Sequence, residues 1–281
     1  MILVVGATGS VGSEVVRQLL EAGESVRAGV SAVGGSVPGF DGETVRCDFG
    51  DPTTIGPALA GVDRLFLMRP PAISDVKRFL RPFITHAARV GVTQTVFLSV
   101  MGVNRVMPHW RMERDIEAVG LPHTFVRPAF FTQNLATAYR NDIVEHDRIR
   151  LPAGNGRTSF VDVRDVATVA VLALRDPAAH NGKAYTLTGE RSWSYDEVAA
   201  LLTTSLGRRI SYERVSFLQY RRELRAADLP ADYVRVQLLI NAVARAGLAG
   251  RTTRTFAELS GRAPIALAES LNDLRGAWLP A

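Results

Sequence analysis

The chain has one cysteine, Cys47, among its 281 residues, so no disulfide can form within it. A chain this long does not need one. Surface scaling leaves about 70–75% of the unfolded chain's area buried on folding, enough for a core held by packing alone. Lysine is almost missing: Lys77 and Lys183 are the only two, and the other 31 of 33 basic residues are arginine. That bias points to a GC-rich bacterial genome. No apolar run reaches the ~20 residues a bilayer span requires, so no membrane partner is expected. Met1-Ile2-Leu3-Val4-Val5 runs directly into a glycine motif with no charged n-region. No secretory leader is therefore expected, and the cytoplasm is the expected compartment. The five histidines lack ligand spacing, which argues against a metal. The formal charge is +5, but the arginines are scattered. Their densest run, Arg221-Arg222-Glu223-Leu224-Arg225, is broken by an acid and followed by Asp228 and Asp232. It reads as a solvated helix face, and nucleic acid is not an expected partner.

What is present is a regular alternation. Apolar runs at residues 2–5, 25–30, 43–47, 64–68, 95–98 and 123–126 predict strands. Helical spacing predicts helices over 11–20, 51–59, 74–90 and 110–119. Strand and helix in turn predict an α/β domain, a doubly wound Rossmann-type parallel sheet with helices on both faces. Later segments are less regular. Ser159–Val161 reads as a short strand, Asp165 opens a helix to about Leu174, and Ala184–Leu187 reads as a strand. Ser194-x-x-Glu197 is a capping box, and the pattern from Val215 onward is mostly helical. The expected layout is a nucleotide-binding domain over 1–127, joined again by 159–188. A smaller, mainly helical substrate lobe over 128–158 and 189–281 completes it, with a cleft between the two. A homodimer is conceivable, but no apolar stripe is long enough to argue for one.

The strongest motif is Gly6-Ala7-Thr8-Gly9-Ser10-Val11-Gly12, placed between a strand and a helix. Gly6 permits the turn, Gly9 lets backbone approach a pyrophosphate, and Gly12 lets helix and strand pack closely. Exposed N–H groups at the helix start then face the anion. The second strand ends Val26-Arg27-Ala28-Gly29-Val30-Ser31 without the carboxylate that would read the ribose of NAD. This favours NADP(H) over NAD(H), with Ser31 available to its 2′-phosphate. Arg27 either lies near that phosphate or points to solvent.

The glycine motif resembles that of the NmrA-like group of atypical short-chain dehydrogenases. So do Cys47-Asp48-Phe49-Gly50-Asp51, Phe97-Leu98-Ser99, the stretch from Gly120 through Pro128 to Phe131 with Asn134, Val161-Asp162-Val163-Arg164-Asp165-Val166-Ala167, and Leu259-Ser260-Gly261-Arg262-Ala263-Pro264. The likeness covers essentially the whole chain. It implies the family's quinone reductases, its related ketone and enone reductases, or its catalytically silent redox sensors. By position it implies Gly6, Thr8, Gly9, Ser10 and Val11 around the pyrophosphate, Ser31 near the adenosine ribose, and Asp48 and Phe49 by the adenine. It places Leu67, Met68 and Arg69 beside the nicotinamide ribose and Ser99, Val100 and Met101 near the nicotinamide. Phe130, Phe131 and Asn134 would approach the ring and the substrate mouth.

Orthodox short-chain dehydrogenases use a Tyr general acid and a Lys four residues later. This chain has no Tyr-x-x-x-Lys: Ile73 precedes Lys77 and Ala179 precedes Lys183 at that spacing. His109 and Glu113 fall, by resemblance, on the helix that would carry the pair. At i and i+4 they share a face, so Glu113 is expected to orient the imidazole and raise its pKa, with His109 as the acid. The alternative is a surface His109 after Pro108, with Glu113 paired to an arginine. Trp110 either stacks on a flat substrate or anchors packing, and Phe217 and Tyr220 are candidate pocket walls. Cys47 is expected to be inert core. The functional expectation is an NADPH-dependent reductase of a quinone or a conjugated ketone. The alternative is a non-catalytic NADP(H) sensor that binds a protein partner.

Overall fold

The computed structural model describes residues 1–32, 35–71 and 73–279. In chain order its strands are β1 Ile2–Val5, β2 Val26–Val30, β3 Glu43–Arg46, β4 Arg64–Met68, β5 Gln94–Leu98, β6 His123–Pro128, β7 Phe130–Phe131, β8 Arg148–Leu151, β9 Arg157–Val161, β10 Lys183–Leu187, β11 Ser192–Ser194 and β12 Ser211–Arg214. Two compact units result. The first holds Met1–Pro128, Val163–Leu187 and Glu258–Gly261. The second holds Ala129–Asp162, Thr188–Ala257 and the chain from Arg262.

The first unit is built on a seven-stranded sheet in the order β10-β6-β5-β4-β1-β2-β3, with every pairing parallel. The central strands read as unbroken apolar runs because helices cover both faces. One face carries Leu3, Val5, Leu65, Leu67, Phe97 and Phe125, packed with Phe83, Met112 and Ile116 from the covering helices. On the first unit's other helical layer, Ser10–Glu21 packs on Val163–Arg175. Strand order reverses between β1 and β4, and ligands of such sheets bind beyond the carboxyl ends of the strands at that point.

Two expectations need correction. The helix predicted over 74–90 is two helices, Val76–Phe79 and Arg81–Arg89, parted at Leu80. Pro82 has no N–H for the preceding turn, and its ring crowds the carbonyl one turn back. The segment returning to the main sheet begins at Val163, not at 159. β9 pairs instead with β11 and β7 inside the second unit.

The second unit has the β11-β9-β7 sheet, the β12-β8 pair and several helices. Ser194 and Glu197 form both halves of the capping box at the helix Tyr195–Leu206. Trp278 is wholly buried and donates through Nε1 to the Leu135 carbonyl at 3.1 Å. Gly156 is obligatory, since a Cβ there would lie 2.0 Å from the Ala244 carbonyl oxygen. No helix among the described residues is long and apolar enough to cross a membrane.

Candidate functional site

The turn between β1 and the helix Ser10–Glu21 is a cradle of missing side chains. Gly6 sits at φ +71°, and a Cβ there would meet Met68 at 2.8 Å. A Cβ on Gly12 would lie 2.1 Å from the Gly6 carbonyl oxygen. Gly9 closes the turn, its N–H donating to Gly6 at 2.9 Å. The helix has no side-chain cap and no acid in its first turn. Its leading N–H groups and positive dipole end are thus left for an anion. Thr8 and Ser10 are exposed at this end, and Val11 is buried against the core. These residues fit the pyrophosphate of a dinucleotide.

Ser31, expected near the adenosine, is exposed just past β2. Arg27 follows neither expectation. It lies in the first half of β2, away from the carboxyl ends, and donates to Glu43 at 2.7 Å and to the Ala60 carbonyl at 2.5 Å. Asp48 accepts from the Gly50 N–H at 2.9 Å and from Arg46 at 3.1 Å. Phe49 is turned inward, edge-on to Phe83 at 5.2 Å, so only its backbone remains for an adenine. Burial beside Asp48 pushes the Cys47 thiol up to about 12, which keeps it protonated.

The other end is a side-chain network on three elements. Ser99 follows β5, Glu113 lies on the helix Pro108–Ala118, and Arg127 lies in β6. Arg127 donates from Nε and Nη2 to the two Glu113 oxygens, at 2.9 and 2.7 Å. Ser99 Oγ donates to Glu113 Oε1 at 2.7 Å. Glu113 is 1% exposed and Ser99 4%. A hydroxyl has one proton, and here a carboxylate takes it, leaving Ser99 an acceptor toward any ligand.

This arrangement overturns Glu113 as the partner of the imidazole and agrees with the alternative, Glu113 paired to an arginine. Its carboxylate is committed to Arg127 and Ser99 rather than to the imidazole. The shift of His109 is the reverse of that expected: desolvation, then the Arg69 charge, lowers its pKa to about 4. His109 is thus a neutral imidazole near pH 7, stacked at a tilt 6.4 Å from Phe97. Arg69 is held at the end of β4 by the carbonyls of Pro70 and Ile73, at 3.0 and 2.6 Å. It makes no ion pair among the described residues, and burial lowers its pKa. Leu67 is wholly buried, Met68 lines Gly6, and Val100, Met101 and Trp110 are half-buried.

Phe130, Phe131 and Asn134 belong to the second unit. There Phe130 stacks on Tyr139 at 6.1 Å and meets Phe160 edge-on at 5.5 Å. Tyr220 is buried in that unit's core rather than lining open space, and Arg245 lies over Phe217. Sequence reasoning held an arginine partner for Glu113 as its alternative but did not single out Arg127. Its only signal was a basic residue opposite an acid on a neighbouring element, which is visible only once strand register is known.

A family model described as the NmrA-like family matches residues 1–247. The chain belongs to the NmrA-like family. Its relatives include an NAD(P)H azoreductase of Xenophilus azovorans, 34% identical over 92% of this chain and 96% of the relative. Among solved structures, an Escherichia coli NADPH-dependent quinone oxidoreductase in complex with NADPH superposes with a TM-score of 0.85 at 24% identity, covering 98% of this chain and 99% of the other. A Citrobacter sp. triphenylmethane reductase complexed with NADP(H) gives 0.84 at 23%, covering 98% and 100%. These two likenesses speak for the family's fold.

Proposed function

We propose that the chain is an NADPH-dependent reductase that passes hydride to a quinone or a conjugated, aromatic-like ketone. Family membership and the side-chain-free cradle at Gly6, Gly9 and Gly12 support an NAD(P)H-dependent oxidoreductase. The observation that carries the substrate class is the neutral His109 beside the unpaired charge of Arg69, in a chain lacking Tyr-x-x-x-Lys. An acceptor that readily takes hydride needs no strong acid, only a donor and a positive charge where its oxygen becomes negative. A quinone fits that description.

When bound, NADPH supplies the hydride. The free N–H groups at the start of the Ser10–Glu21 helix would hold the phosphates. Ser31 meets the 2′-phosphate with no carboxylate to repel it. Ser99, oriented by Glu113 and Arg127, accepts a hydrogen bond from the nicotinamide end. His109 donates its ring N–H to the acceptor oxygen, and Arg69 stabilises the charge that develops there. The final proton comes from water.

The test is NADPH oxidation, followed by loss of nicotinamide absorbance, against benzo-, naphtho- and anthraquinones, an azo dye and a triphenylmethane dye. NADH is run in parallel. Saturable oxidation led by quinones and preferring NADPH is expected. Tight NADPH binding with no turnover on any acceptor would overturn the reading in favour of a sensor.

A further inference from the structure

The first unit carries a concavity of about 530 Å³ away from the glycine turn, between the helical segment Pro52–Leu59 and the helices Val76–Phe79 and Arg81–Arg89. Its floor is apolar: Pro52, the buried Ile55 and Pro82. Gly56 opens the floor further, since a Cβ there would meet nothing within 4 Å. Its rim is basic: Lys77, Arg81 and Arg89, with His86 between the last two.

Arg81, Thr85 and Arg89 recur every four residues along the helix Arg81–Arg89, and Lys77 lies on the helix before the break at Leu80. None of Lys77, Arg81 or Arg89 makes an ion pair among the described residues. Arg17, Arg27, Arg46, Arg64 and Arg127 of the same unit are each held by a carboxylate, whereas Arg69 and Arg78, like the rim, have no carboxylate partner among the described residues. Asp51, the acid next to the groove's Pro52, is taken by Arg46 at 2.8 Å.

We propose that this groove docks an acidic, extended protein segment: carboxylates along the Lys77–Arg81–Arg89 rim, and an aliphatic side chain over Ile55 and Gly56. The charges are strung out rather than convergent. Arg81 and Arg89 stand about 12 Å apart along the helix at ~1.5 Å per residue, which suits a row of carboxylates better than a single phosphate. The lining has no aromatic ring on which a nucleobase would stack.

The experiment is fluorescence anisotropy of the full chain with a labelled peptide of repeated Glu-Glu-Leu. A Lys-Lys-Leu peptide, inorganic phosphate and a single-stranded oligonucleotide are the comparison probes. NADPH is kept saturating so that the coenzyme site does not bind the probe. Binding of the acidic peptide should weaken about tenfold or more in Arg81→Glu/Arg89→Glu. It should also weaken several-fold in Gly56→Leu, which fills the floor without changing charge. Raising salt from about 50 to about 300 mM, which shortens screening to roughly 6 Å, should weaken it too. Thermal melting and NADPH binding of both variants should match the parent, which separates a lost groove from a lost fold. Equal peptide binding by parent and variants would overturn the proposal, as would an oligonucleotide or phosphate that binds more tightly through the same arginines. Loss in the charge variant with none in Gly56→Leu would also overturn it, because a solvated basic face needs no floor.

Discussion

The two ends of the nucleotide crevice in the first unit are made of different material. At the glycine turn the chain offers backbone amides and the absence of side chains. At the ends of β4, β5 and β6 it offers side chains buried and locked to one another. On the proposed reading the first arrangement would bind by leaving space, so any added atom would damage it. The second would bind by polarity, so its failures would come from groups left without partners.

Gly12→Val should have the largest effect. Its Cβ would lie 2.1 Å from a backbone carbonyl oxygen, which no rotamer relieves. The helix must move off the strand, and NADPH affinity should fall by about 100-fold or more, the loss of several kcal/mol of binding. Fluorescence titration with NADPH measures it. Affinity within threefold of the parent would mean the turn does not hold the coenzyme.

Glu113→Ala should come next. It leaves Arg127 partly buried beside an unpartnered Ser99 hydroxyl, and breaking a buried pair costs about 3–5 kcal/mol. Glu113→Leu combined with Arg127→Met should recover most of that stability, because both charges go together. The double variant should nonetheless bind NADPH less well, since nothing then orients Ser99. Urea unfolding and coenzyme titration on the three proteins separate the two effects. Full recovery of both properties would deny the pair its positioning role.

His109 gives a sign as well as a size. Replacing it with Ala should lower kcat by roughly 10–100-fold while leaving the KM for NADPH nearly unchanged. The pH profile of kcat should be flat from about pH 5 to 8, because the imidazole is already neutral there. Stability follows the same logic. The folded pKa, about 4, lies below the unfolded value of about 6.5. The unfolded chain therefore binds the extra proton, and the stability tied to neutral His109 is complete above pH 6.5 and lost as pH falls toward 4. The stability gap between the parent and His109→Phe should shift in favour of the variant over that window. A kcat limb at pH 6.5 that vanishes in His109→Ala would restore the charged acid.

How legible each end was follows from its material. The glycine turn could be read in full, because a tight turn, a close approach and a helix start each demand glycine at a fixed spacing along one segment. The alternation of apolar runs likewise revealed the parallel sheet. The other end depends on neighbours remote in sequence. Glu113 and His109 are one turn apart, and that spacing invited a pairing. Strand register brings Arg127 and Ser99 to the carboxylate instead, through β5 pairing with β6. Phe49 shows the same limit, since an aromatic after a strand reads equally as a ligand platform or as core. The break at Leu80 was foreshadowed by Pro82, but the helical periodicity on both sides masked it.

Coenzyme choice is where the two materials meet, and it should give the smallest effects. Ser31→Asp places a carboxylate at the end of β2, where it would repel a 2′-phosphate and accept from a ribose hydroxyl. The ratio of kcat/KM for NADPH over NADH should fall by about tenfold, a shift of ~1.4 kcal/mol. Arg27→Ala is the control. That guanidinium is tied to Glu43 and to the Ala60 carbonyl in the first half of β2, away from the carboxyl ends of the strands. Its loss should cost no more than about 1 kcal/mol of stability, the scale of a partly exposed pair, and leave the coenzyme ratio unchanged within twofold. A ratio that collapses in Arg27→Ala but ignores Ser31→Asp would place the 2′-phosphate at the wrong end of β2 for every other residue assigned to the crevice.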